Sequence, residues 1–423
     1  MKILLVTEYF YPQSSGGTEL YVYNLAQTLQ KQHHQVEVLS VSNNKETCNY
    51  KGITVYYIPF NKDFATTVIT GEKPADNIIA FVDIVQKINP DIIHFHTLTT
   101  SINTHHLEAI KQIGYKTVFT SHIAAHTCLR GTLMQLGKYI CDGKVEEQKC
   151  LSCYLQQKGI LEPLNSLSAF IIRTTGFPQN LAKVVTRKKE ELTRLKLNLD
   201  KLVVVSKWQQ EVLKRNQFDQ QKIALCRQAV EVCNPSSIIK TESSKLVIGF
   251  IGRIAAIKGL HVLLASLKNI TAENFELRIA AIPVAEELDY YQQQKAHVEN
   301  MPNAAWIENL PNENVSSFLK DLDILCVPSQ CLETGPFVVY EALAQGVPVV
   351  GSDLGGIKEL ITEGKNGWLF PHRDEKYLSL LIASFITQKA ENKLLKNVEI
   401  ISRTTEKLGE EMLDVYYKVL AND

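Results

Sequence analysis

At 423 residues the chain is long enough for two domains, each with a full core. Its 45 Lys and Arg balance 45 Asp and Glu, so bulk charge gives no support for nucleic-acid binding. No run approaches the roughly 18 apolar residues of a membrane span, and the opening MKILLVT reads as a strand because Glu8 follows too early for a signal-peptide core.

In chain order, strand Ile3–Thr7 leads through a polar loop ending Ser14-Ser15-Gly16-Gly17 into a helix from Thr18 to about Lys31. Strands are expected at Val36–Val41 and Ile53–Ile58, then a helix over Asp76–Ile88 that stops before Asn89-Pro90. A strand at Asp91–His96, a helix over Asn103–Ile113 and a strand at Thr117–Ser121 follow. A long insertion occupies about 123–199, and Leu202–Val205 resumes the sheet. These strands are short and almost continuously apolar, the pattern of parallel strands covered on both faces.

The polar stretch Asn234–Lys245 is the best linker. Beyond it, strand Leu246–Ile251 runs into Gly252-Arg253 and a helix over Gly259–Leu267. Strands at Glu276–Ala280, Ala305–Ile307, Ile324–Val327 and Val347–Gly351 alternate with helices, and a helix over Glu406–Leu420 closes the chain. Two blocks of βα units imply an α/β protein with two doubly wound, Rossmann-like sheets. The expected domains are 1–235, carrying the insertion, and 246–400, with 401–423 a C-terminal helix that crosses back to the first domain. Ligands in such sheets sit at the carboxyl ends of strands, so the two domains are expected to face each other across an active cleft.

Two glutamates carry the most information. Glu341 lies within the apolar run Phe337, Val338, Val339, Tyr340, Ala342, Leu343, where a carboxylate is costly to bury unless something hydrogen-bonds it. Pro336 suits a first helical position and Gly346 a helix end, which places a helix over Pro336–Gln345. Glu333 then stands on the loop entering that helix, where free backbone N–H groups receive an anion. A phosphate site between two hydroxyl-accepting carboxylates describes a nucleotide-sugar pocket.

Arg253 and Lys258-Gly259 follow a buried strand and suit a diphosphate, or else are two solvated cations on a turn. Gly16-Gly17 is either a cradle for phosphate or the transferring sugar, or a plain tight turn. His122 ends a strand at the expected cleft edge, and only that position argues for function over structure. His94 and His96, alternating on another strand, read as structural.

Taken together these residues resemble the retaining GT-B glycosyltransferases of family four, the glycogen-synthase-like and mannosyltransferase-like group. The resemblance rests on Gly16-Gly17, Thr120-Ser121-His122, Gly252-Arg253 with Lys258-Gly259, Glu333 with Glu341, and Gly355-Gly356 with Glu359, in family order. Gly335-Pro336-Phe337 replaces the commoner aromatic-glycine pair while keeping the glutamate spacing. The resemblance implies transfer of a hexosyl group from a nucleotide-diphosphate sugar to a glycan or lipid-linked acceptor. Arg253 and Lys258 would neutralise the leaving diphosphate without a catalytic metal. Glu333 would accept from the donor sugar's hydroxyls and Glu341 from the ribose diol. Gly335, Pro336 and Phe337 would form the donor-binding start of the Pro336–Gln345 helix, whose backbone N–H groups would hold a phosphate, and His122 would contact the sugar near the reacting carbon. Retention would follow from front-face displacement, the departing phosphate oxygen taking the acceptor proton. The rival readings are a GT-B epimerase or phosphorylase, and a non-catalytic sugar-nucleotide-binding module.

Without an export signal the compartment is expected to be the reducing cytoplasm, where the nine cysteines are not structural disulfides. Cys128, Cys141, Cys150 and Cys153 cluster in the insertion and end in CxxC, the inventory of a structural tetrahedral zinc site. The alternatives are independent small apolar residues or a redox CxxC. Lys183–Lys196, with Arg187-Lys188-Lys189 and Arg194, reads as an amphipathic helix touching anionic lipid at the membrane's cytoplasmic face, or as a solvated helix face.

Overall fold

The computed structural model describes residues 1–14, 16–60, 73–230, 244–394, 398–400 and 403–421. Ser15, Cys233 and the expected linker as far as residue 243 therefore lie outside the described residues. The chain divides into two compact units, Met1–Gln228 with Thr405–Asp423, and Ala229–Thr404.

The first unit is built on β1 (Lys2–Val6), α1 (Gly17–Lys31), β2 (Gln35–Ser42), β3 (Glu46–Tyr50), β4 (Ile53–Pro59), α2 (Ile78–Ile88) and β5 (Ile92–Phe95). Helix α3 (Thr104–Gln112) and β6 (Lys116–Ser121) follow. The sheet order is β10-β9-β6-β5-β1-β2-β4-β3, with β9 at Lys201–Val204 and β10 at Ile223–Leu225. All pairs are parallel except β3 with β4. The order reverses between β1 and β5, so their carboxyl ends form a switch point. Phe81, Phe95, Phe119 and Leu4 are at most 1% exposed in the core beneath one face of this sheet. Each such side chain contributes roughly 1.5–3 kcal/mol by leaving water.

The insertion is helical and has its own small core. After the short hairpin β7 (Met134–Gln135) and β8 (Tyr139–Ile140) come α4 (Glu147–Gln157), α5 (Leu164–Thr175), α6 (Gln179–Ala182) and α7 (Val184–Asn198). Leu151, Leu155, Ala169, Ile172 and Val185 pack together. Helix α7 then sends Leu192 and Leu195 into the main core, so it serves as the crossover helix to β9. Its basic residues are engaged locally: Lys188 pairs with Glu191 at 2.7 Å, Lys189 with Glu147 at 2.8 Å, and Arg194 donates to Thr104. The remaining helix before the linker is α8 (Lys207–Arg215).

In the second unit β11 (Leu246–Arg253), α9 (Leu260–Leu267), β12 (Phe275–Ile282), α10 (Leu288–Glu299), β13 (Ala304–Glu308), α11 (Asn312–Lys320) and β14 (Ile324–Val327) alternate regularly. Then come α12 (Phe337–Ala344), β15 (Val349–Ser352), α13 (Gly355–Leu360), β16 (Gly367–Phe370) and α14 (Glu375–Ala390). The sheet is wholly parallel in the order β13-β12-β11-β14-β15-β16, the dinucleotide-fold order, with its switch point between β11 and β14.

The last helix, α15 (Thr405–Ala421), belongs to the first unit. Gly409 lets it cross α1 closely, since a Cβ there would lie 2.5 Å from Thr28. Its buried Tyr416 hydroxyl sits 2.7 Å from His94 Nδ1.

Candidate active site

The switch point of the second unit collects the residues singled out in the sequence. Arg253 ends β11, exposed, and Lys258 stands on the short 3-10 turn that follows. Gly259 makes that turn workable. Its φ is +77°, and a Cβ would come within 1.8 Å of the Pro328 carbonyl, so only glycine lets the turn lie against the loop leaving β14. The Gln330 amide donates to the Ile257 carbonyl at 2.7 Å and pins the two loops together.

That approach brings Lys258 Nζ to 2.5 Å from Glu333 Oε1, while Ser329 Oγ donates to the same oxygen at 3.0 Å. Burial alone would raise the Glu333 carboxyl. Lys258, Ser329 and Arg253 outweigh it and hold Glu333 below the usual carboxylate range. The loop bearing Glu333 is seated on α13 by two glycines. The Gly356 amide donates to the Glu333 carbonyl at 2.7 Å. A Cβ on Gly355 would lie 2.7 Å from that carbonyl oxygen, and one on Gly356 would lie 2.5 Å from the Gly335 nitrogen.

Gly335, at φ +121°, turns the chain into Pro336, the N-cap residue, and α12 begins at Phe337 rather than at the proline. Within the first turn of α12 the Val339 amide donates to the Pro336 carbonyl at 3.0 Å, and this end carries the positive end of the helix dipole. Glu341 lies one turn further on. Burial pushes its carboxyl up to about 7, and it has no hydrogen-bonding or ionic partner among the described residues. The two glutamates therefore differ in state. Glu333 is paired and held ionised, whereas Glu341 is half-buried, raised by burial and without a side-chain partner among the described residues.

In the first unit, Gly16 is the N-cap and Gly17 the first residue of α1, at the carboxyl end of β1. A Cβ on Gly16 would meet the Glu19 carboxylate at 2.8 Å, so this turn is folded back on an acidic side chain that also accepts from Ser14. His122, just past β6, is 8% exposed and packs against the Tyr21 ring of α1 at 4.6 Å. Its Nε2 lies 3.2 Å from Nδ1 of His96. Burial, with a smaller contribution from His126, lowers the His122 pKa to about 3, so the imidazole is neutral at ordinary pH. His94 is locked between Thr120 and Tyr416, 2.7 Å from each, which is a structural placement. His96, in contrast, touches His122 directly and its Nε2 has no partner among the described residues. The sequence reading took His96 as structural and did not single out Ser329. The signal available for both was their place just beyond switch-point strands.

The four insertion cysteines come together around one small pocket. No helix among the described residues is long and apolar enough to cross a membrane.

Residues 15–232 match the model of Glycosyltransferase Family 4, and residues 236–403 match that of glycosyl transferases group 1. A Methanocaldococcus jannaschii glycosyltransferase, MJ1607, is 22% identical over 88% of this chain and 85% of its own length. The WcaL protein of Salmonella typhimurium, named for colanic acid biosynthesis, is 29% identical over 45% of this chain and 48% of its own. A GDP-mannose-dependent alpha-mannosyltransferase of Corynebacterium glutamicum is 29% identical over 42% and 41%. The chain thus spans about half the length, or less, of the last two relatives. Among solved structures, sucrose-phosphate synthase from Thermosynechococcus elongatus superposes over all of both chains with TM-score 0.71 at 15% identity. Anabaena HepE in complex with UDP does so with TM-score 0.66, also at 15% identity, over 99% of this chain and all of its own. Both share the GT-B fold of two Rossmann-like α/β domains, and with a family model spanning over half its length the chain belongs to glycosyltransferase family 4.

Proposed function

We propose that the protein is a retaining, metal-independent hexosyltransferase that moves a sugar from a nucleotide diphosphate to a glycan or lipid-linked acceptor. The observation that carries this reading is the ionised Glu333 held by Lys258 at the switch point, beside the α12 N-terminus and one turn from an unpartnered Glu341. A diphosphate at that N-terminus would take the first-turn amides of α12 and the positive charge of Arg253 and Lys258. The two cations would stabilise the charge that grows on the leaving oxygen, which is the role a divalent ion fills elsewhere. Glu341 would accept both ribose hydroxyls. Glu333 would accept from the sugar and fix its orientation toward the acceptor. His122, neutral and buried, would serve as a hydrogen-bonding group near the reacting carbon rather than as a cation. Solved neighbours that hold UDP and UDP-glucose support a nucleotide-sugar donor.

A lipid-linked acceptor is favoured by the outer face of the insertion. Leu164, Leu167, Phe170, Ile171 and Phe177 are about half or more exposed, with Arg173 nearby on the same helix. Such a face suits peripheral contact with an anionic bilayer surface on the cytoplasmic side. In this reading the contact lies on α5 and Phe177, whereas the sequence had suggested 183–196.

The test is a transfer assay with UDP-, GDP- and ADP-sugars, reading the anomeric configuration of the product by NMR. Retention of configuration in the presence of a chelator is expected. An inverted product, or donor binding with neither hydrolysis nor transfer for any donor, would overturn the proposal.

A further inference from the structure

The insertion carries chemistry that sugar transfer does not use. Cys128, Cys141, Cys150 and Cys153 come from three separate pieces of chain: a turn after β6, the residue directly following β8, and the first two turns of α4. All four nevertheless line a single cavity of about 20 Å³. Cys150 and Cys153 are three apart on a helix and so share a face.

The backbone is arranged around sulfur as an acceptor. The Leu136 amide donates to Cys153 Sγ at 3.2 Å, the Glu146 amide to Cys150 Sγ at 3.4 Å, and the Gly143 amide to Cys141 Sγ at 3.5 Å. Gly143, which donates to the cysteine two residues before it, then takes φ +76°, a left-handed turn that suits glycine. Three cations, Arg130, Lys144 and Lys149, line the same cavity. Isolated small apolar residues would need neither convergence from three elements nor amide donors at three sulfurs.

We propose that Cys128, Cys141, Cys150 and Cys153 hold a structural zinc ion. Four thiolates match its tetrahedral preference, and N–H groups on ligand sulfurs with nearby cations are the outer support such sites use. On binding, the ion displaces the four thiol protons to solvent, and Arg130 and Lys149 offset the two net negative charges that result. Among the described residues no three His, Cys, Asp or Glu side chains already stand in an ion-holding arrangement. Binding at the roughly 2.3 Å Zn–S distance would require the sulfurs to close on one another, with the amide contacts at Cys141, Cys150 and Cys153 readjusting and the long contacts of Cys141, Cys150 and Cys153 to Asp142, the Lys144 carbonyl and the Met134 carbonyl, at 3.8, 3.9 and 4.0 Å, given up.

The ion would staple the hairpin and the segment after β6 to α4. That segment begins directly after His122, and its Ala125 carbonyl accepts from Lys188 of α7 at 3.0 Å. The site thereby fixes the chain next to one of the proposed sugar contacts. It stands independently of the transferase reading, because its readouts are metal content and insertion stability.

The test uses the full chain purified anaerobically under metal-replete conditions. Elemental analysis is expected to find zinc at about one atom per chain. Each of Cys128→Ser, Cys141→Ser, Cys150→Ser and Cys153→Ser should lose most of it, while Cys48→Ser keeps it. Cobalt exchanged into the native protein should show thiolate-to-metal charge transfer and tetrahedral ligand-field bands, a readout that survives even if the serine variants fold poorly. Chelation should open roughly 123–161 to protease while nucleotide-diphosphate binding by the second unit persists. Metal-free native protein with a protease-resistant insertion, iron in place of zinc, or zinc unchanged in the serine variants would each overturn the proposal.

Discussion

Glu341 offers the sharpest test of the donor site, because its protonation can be followed separately from every other group there. The carboxyl is raised to about 7 by burial alone, whereas Glu333 is held below its usual range by Lys258 and stays ionised. If the ribose diol requires the Glu341 carboxylate as a double acceptor, donor affinity should follow its ionised fraction. From about pH 8 to about pH 6 that fraction falls about tenfold, which is ~1.4 kcal/mol of binding free energy. Calorimetry should use an intact nucleotide-diphosphate sugar, whose doubly esterified phosphates do not titrate in this window. Glu341→Gln should bind more weakly at pH 8 and lose the pH dependence. Stability should move the opposite way. A folded carboxyl raised above its unfolded value disfavours folding fully above pH 7, and that penalty fades as pH falls through the folded pKa toward the unfolded one. The rise from the usual 4.5 to about 7 sets the penalty at up to about 3 kcal/mol. Ligand-free Glu341→Gln should therefore melt higher than the native protein at pH 8 and no higher near pH 4.5. Wild-type affinity that is flat from pH 6 to 8, or a variant that binds donor as tightly as the native protein, would refute the ribose assignment.

Glu333→Gln should lower kcat far more than it weakens donor binding, measured by steady-state kinetics beside calorimetry, because its proposed contact positions the reacting sugar. Arg253→Ala and Lys258→Ala should each cost on the order of 100-fold in kcat, by analogy with removing an oxyanion donor. For Lys258→Ala, a urea titration should also register the unpaired Glu333. A chelator that leaves the insertion intact should not change the rate of transfer, and restoration of a lost rate by magnesium or manganese would contradict metal independence. Gly356→Ala, whose Cβ would lie 2.5 Å from the Gly335 nitrogen, should displace the Glu333 loop. Donor affinity should fall in that variant while hydrogen exchange in the first unit stays unchanged.

The sequence by itself determined the alternation of strands and helices, since continuous apolar runs such as Leu246–Ile251 and Ile324–Val327 have no stable alternative to buried parallel strands. It also determined the glutamate pair, because a carboxylate within Phe337–Ala344 is conspicuous against apolar neighbours. Short edge strands were not legible. Glu46–Tyr50 and Ile223–Leu225 are only partly buried and owe their extended form to a partner strand rather than to their own pattern. The small core of the insertion was not legible either, because Leu151, Leu155, Ala169, Ile172 and Val185 are spread over three helices and become a core only when those helices meet. The same limit applied at the site. Spacing placed Glu333 on a loop, but only the fold brought Lys258 onto it, through a glycine turn that approaches the Pro328 carbonyl more closely than any side chain allows. Local propensity is written along the chain, whereas the state of a buried charge depends on which distant residue reaches it, and that is decided by tertiary structure.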